Sequence, residues 1–264
     1  MRSHNPVLTR LTPETQTAGY RPPAPTGYGT PTGYTSPVVA PAETDRMTID
    51  DVVVRTVGLL ALTGISGALA WVIVPDSVAP AAWIGAAIVG LIVGLVISFK
   101  QITNPLVIGA YAVIEGVFVG LVSKAYENAF DGIVVQAAIG TFGIFFIMAM
   151  LYKSRVIRAT PRFIKWVTGA LIGVVVIIIV NWALSLLGVN LGLRDGSPLA
   201  IGFSLVVIGI AALTFILDFH MVEQGVRQGL PERYAWFCAF GILVGLIWLY
   251  LEILRLLSYL RGDD

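Results

Sequence analysis

The chain of 264 residues is 56% hydrophobic and 12% charged, with a mean hydropathy of +0.84, whereas ordinary soluble domains carry roughly 25% charged residues. Its formal net charge of +1 leaves no concentrated basic surface for phosphate, so nucleic acid is excluded as a partner. The single cysteine, Cys238, excludes an internal disulfide framework and reads as a small packing residue in its apolar run.

Residues 1–45 are rich in Pro, Gly, Thr and Tyr, and Gly-Tyr recurs at Tyr20, Tyr28 and Tyr34. Their aliphatic surface is too small to offset the entropy of ordering the chain. The stretch is expected to be a disordered cytoplasmic tail whose prolines favour polyproline II, either as a docking segment or as a solvated linker. No charged segment leading straight into an apolar one is found there, so insertion is expected to rely on the first spanning helix.

Seven apolar runs follow, at 56–74, 79–99, 105–122, 132–151, 167–189, 199–217 and 234–257, each about as long as a helix that crosses a bilayer. The runs are continuous, where barrel strands would alternate over about ten residues, so the expected fold is all-α, a seven-helix transmembrane bundle over 46–264. Small residues at helical spacing, Gly90 with Gly94, Gly116 with Gly120, Gly169 with Gly173 and Gly241 with Gly245, mark surfaces where helix backbones approach closely.

Orientation follows from the basic residues. Lys153, Arg155, Arg158, Arg162 and Lys165 crowd the segment after the fourth span, and the same side collects Arg46, Arg55, Lys100, Arg227 and Arg233. The opposite side holds Lys124, Arg194, Arg255 and Arg261. The predicted topology is therefore N-terminus cytoplasmic and C-terminus outside. The absence of organelle signals fits a plasma (inner) membrane, with lipids as the first partners.

Ionisable groups at the centre of a bilayer helix cost about 3 kcal/mol on insertion scales, so those present are functional candidates. Three carboxyl groups qualify: Glu115 in the third span, Asp218 at the end of the sixth and Glu252 in the seventh. Asp218 reads either as an interface marker or as an intramembrane acid. Glu252 reads either as half of a local pair with Arg255, three residues on and on the same helical face, or as a partner for Asp218. Two carboxyl groups held together in a poorly hydrated interior share a proton, which makes a pH sensor. Deprotonated, they offer oxygens to a hard cation such as calcium, so protons and calcium compete. His220, two residues after Asp218, points in a different direction on a helix and makes no transition-metal site with it or with Glu223.

The penultimate span closes with Phe215-Ile216-Leu217-Asp218 and the last reads Leu249-Tyr250-Leu251-Glu252-Ile253-Leu254-Arg255-Leu256-Leu257. In this order, within a seven-span chain, the two motifs resemble the Bax inhibitor-1 family over roughly residues 50–260, without the tail. The resemblance implies a bundle in two layers around a central last helix, and a pH-dependent calcium leak without enzymatic activity or organic cofactor. It also implies that Asp218 and Glu252 form the family's proton-sharing gate, with glutamate in place of the usual aspartate, that both transiently ligate calcium, and that the nearest basic partner is Lys100. Glu115 and His220 become candidates for the ion pathway or its support, with Arg255. In a straight hairpin the two gate residues fall at different depths, so a tilt or a break at Gly225 or Gly229 is required to bring them together.

Two other classes are weighed. An intramembrane aspartyl protease also needs two carboxyl groups, but the Gly-x-Gly-Asp context such enzymes share is missing around Asp218. A non-catalytic regulator of a membrane protease or of stress and cell-death machinery would act by binding other membrane proteins through its glycine-lined surfaces.

Overall fold

The computed structural model describes residues 46–189, 191–193 and 195–262. The expected tail at 1–45, together with Arg194, lies outside the described residues. Seven helices follow in order: α1 (Ile49–Ile73), α2 (Ala79–Lys100), α3 (Pro105–Ala129), α4 (Ile133–Lys153), α5 (Pro161–Leu186), α6 (Pro198–Arg227) and α7 (Tyr234–Arg261). All seven are long and apolar enough to cross a membrane, which gives a multi-pass membrane protein.

The starts of the helices are written locally. Asn104, Thr160 and Ser197 each precede a proline and accept a backbone N–H from the first turn of α3, α5 and α6. A polar cap followed by proline satisfies an orphan donor and presets the first helical φ. Thr48 and Asp51 close a reciprocal capping box on α1. That box explains why α1 begins at Ile49, seven residues before the expected run at 56. Similarly, α6 continues to Arg227 past the apolar run that ends at 217. Apolar length reports the thickness of the bilayer, whereas a helix continues until its backbone is capped or turned.

α7 is the axis of the bundle. Its most apolar stretch is 61% buried, against 11% for α2 and for α5, and it packs on α1, α3, α4 and α6. By contrast, among the described residues α2 packs on α3 alone and α5 on α6 alone, so these two helices form the outer layer, and the central last helix expected from the family resemblance is present. The core between α6 and α7 is close-packed, with Ala211, Phe215, Ile216, Leu249 and Leu254 fully buried. Phe145 of α4 meets the Phe215 and Phe219 rings edge-on at 5.2 and 5.6 Å between centroids.

Close approach is tightest between α1 and α3. A Cβ on Gly120 would come within 2.2 Å of the Gly67 carbonyl oxygen, and one on Gly116 within 2.4 Å of the Thr63 carbonyl oxygen, so this pair of helices touches backbone to backbone. Gly169 and Gly173, expected to pack likewise, meet nothing within 4 Å. They lie on the outer α5, where small side chains face open space.

Candidate functional site

The α6–α7 hairpin carries the two carboxyl groups expected to pair, and the structure keeps them apart. Asp218 lies nine residues before the end of α6 and Glu252 eighteen residues into α7, or about 14 Å and about 27 Å from the connecting turn at 1.5 Å per residue. α6 runs unbroken through Gly225, and Gly229 takes up its positive φ of 65° in the turn itself. No break therefore shortens either arm, and the expected proton-sharing pair does not form. For the same reason the two groups do not converge on one calcium ion.

Each carboxyl group has its own surroundings. Asp218 is half-buried and faces α7. A Cβ on Gly241 would meet its Oδ1 at 3.7 Å, and one on Gly245 would meet its Oδ2 at 3.7 Å. Asp218 makes no hydrogen bond or ion pair among the described residues. Glu252 is 2% exposed. Arg255 Nη1 donates to its Oε2 at 2.5 Å, and Ser204 Oγ of α6 donates to its Oε1 at 2.9 Å. The local alternative read from the i, i+3 spacing is thus the one adopted.

The remaining candidates are dispersed. Lys100 is exposed at the end of α2, which among the described residues packs on α3 alone, and so it is no partner for either carboxyl group of the hairpin. His220 points toward α4, with Nδ1 3.5 Å from the Tyr152 hydroxyl and Nε2 2.9 Å from the Gln224 amide nitrogen. Tyr152 donates to Glu223, which also receives Arg227 Nη2 at 2.5 Å. Glu115 is 8% exposed in the middle of α3 and faces α2. Among the described residues, no group of three or more His, Cys, Asp or Glu side chains is arranged to hold a metal ion.

Sequence reasoning missed the clasp on the α6–α7 turn. The Met47 N–H donates to the Leu230 carbonyl at 2.8 Å, Arg46 bridges to Pro231, and the Met47 side chain is 1% exposed against Gly225. Arg55 of α1 donates to the Glu232 carbonyl at 2.8 Å, pairs with the Glu232 carboxylate and stacks 5.3 Å from the Trp236 ring centroid. The residues just before α1 therefore hold the hairpin by its turn. The unlike charges of Arg55 and Glu232 were the available signal. Ser204, a lone hydroxyl in an apolar run, gave none.

A family model described as Bax inhibitor 1 like matches residues 5–262, which extends the expected similarity through most of the tail. No curated protein matches the chain. With seven apolar helices around a central last one and a family match over nearly its whole length, the chain belongs to the Bax inhibitor 1 like family.

Proposed function

We propose that the protein is a pH-sensitive leak for calcium or related cations across a plasma (inner) membrane, gated at Asp218 alone. The observation that carries this reading is the position of Asp218: a carboxyl group on an intramembrane helix, against the glycine face of the central helix, with no cation paired to it among the described residues. Protonated, the side chain is neutral and compatible with close packing of α6 on α7. Ionised, it places an uncompensated charge at that seam, which attracts water and a hard cation and favours separation of the two helices. Proton number thereby shifts the population between closed and open bundles.

Glu252 has a different role in this scheme. Its charge is held by Arg255 and Ser204, so it ties the far end of α7 to α6. The basic segment between α4 and α5 supports a cytoplasmic N-terminus and an external C-terminus. The protein acts without catalysis, and its ligands are protons, permeant cations and lipids.

The experiment is calcium entry into liposomes that carry the purified protein, followed across pH. The reading expects flux above that of empty liposomes, rising as Asp218 ionises. No flux at any pH from folded protein overturns it and turns attention to regulation of other membrane proteins by binding.

A further inference from the structure

We propose that Glu115 is a second proton-binding site, distinct from Asp218, in which a protonated carboxylic acid is enclosed between α2 and α3. The site is built by matching shapes. Glu115 and Tyr111 lie one turn apart on α3, and Gly90 and Gly94 lie one turn apart on α2. A Cβ on Gly90 would come within 2.6 Å of Glu115 Oε1, and one on Gly94 within 3.1 Å of Tyr111 Cε2. The two glycines are thus notches that receive one acidic and one phenolic side chain in register. Tyr111 lies one turn before the carboxyl group on the same face of α3, and its ring meets Phe240 of α7 edge-on at 4.9 Å.

Among the described residues no positive charge reaches this site. Lys100, at the end of α2, is ten residues from Gly90, about 15 Å along the helix. Lys124 of α3 is nine residues from Glu115, about 14 Å, and is engaged by Asp76 at 2.7 Å and the Val74 carbonyl at 3.2 Å. From α1 the nearby side chains are Thr63 and Ser66, whose hydroxyls donate to the carbonyls of Ala112, Leu62 and Thr63. α7 contributes Phe240. Tyr111 is the titratable group that bears on Glu115 among the described residues. A carboxylate enclosed here would be a buried charge without a counter-ion in the thickness of the membrane. A neutral carboxylic acid beside a phenol meets no such cost, and its ionisation requires water or a cation at the α2–α3 seam.

The test needs no flux and is independent of the leak. Infrared spectra of the full chain in lipid vesicles at neutral pH are recorded for wild type, Glu115→Gln and Tyr111→Phe. The expected result is a carbonyl stretch of a protonated carboxylic acid that Glu115→Gln abolishes and Tyr111→Phe shifts in frequency without loss. A hydrophobic carbodiimide supplies a chemical reading of the same proton. The acid proton passes to one carbodiimide nitrogen, the carboxyl oxygen bonds to the central carbon, and transfer of the acyl group to nitrogen leaves a stable acylurea with no atom lost. Peptide mapping is expected to place that adduct on Glu115. The proposal is overturned if the band is absent from wild type, survives in Glu115→Gln or ignores Tyr111→Phe.

Discussion

Arg255 and Glu252 stand one turn apart on α7 and are joined at 2.5 Å, while Ser204 of α6 closes the other carboxylate oxygen at 2.9 Å. The Glu252 side chain is 3% exposed and that of Arg255 23%, so the pair is largely out of water. Its worth lies in neither charge being left alone. Arg255→Gln should therefore destabilise the folded protein by about 3 to 5 kcal/mol, as measured by reversible unfolding in detergent. Arg255→Gln combined with Glu252→Gln should cost less than the two single changes together.

Backbone contact between α1 and α3 leads to a second expectation. At Gly120 an added methyl meets the Gly67 backbone, with the carbonyl oxygen at 2.2 Å and Cα at 2.6 Å, and backbone does not yield as a flexible side chain does. Gly120→Ala should lower stability by at least about 1 to 3 kcal/mol, the usual cost of overpacking. Gly169→Ala, where nothing lies within 4 Å, should unfold at the wild-type midpoint.

The sequence displays these two helices unequally. Gly116 and Gly120 are readable as a packing pair from their spacing, whereas their partner Gly67 belongs to no such pair and is found by contact alone. The seven spans were legible because each apolar run matches the thickness of a bilayer. The helix ends were less so, since α6 continues ten residues beyond its apolar run to Arg227. The candidate site was half legible. Asp218, Glu252 and Glu115 are visible as charges in apolar runs, but which groups meet depends on the depth each reaches. An unbroken α6 gives Asp218 the glycine face of α7 and gives Glu252 to Arg255 and Ser204.

The clasp before α1 should govern the α6–α7 turn. Met47→Ala empties a buried site beside Gly225, with an expected loss of about 2 to 5 kcal/mol for truncating a buried large side chain. Arg55→Ala removes both bonds to Glu232. In either variant the amides around residues 228–235 should exchange with deuterium faster than in wild type, while those of α5 should keep their rates.

The connection between α5 and α6 has a pH dependence of its own. The Ser197 backbone N–H donates to Asp195 Oδ1 at 3.0 Å and holds this carboxyl group below its ordinary value. Because the folded value is depressed, the contribution is complete above the ordinary Asp value of about 3.9 and disappears as pH falls through the lower folded value. The Ser197 amide resonance should therefore move only in strong acid and stay fixed between about pH 5 and 8, the range in which a gate of neutral-pH function would respond.

Calcium flux through Asp218→Asn in liposomes, measured against wild type across that neutral range, bears most directly on the gate. An uncharged side chain of nearly the same shape should leave the bundle folded and the flux low and flat with pH, while wild type varies. A folded Asp218→Asn protein that keeps the wild-type flux and its pH dependence would contradict the assignment of the gate to Asp218.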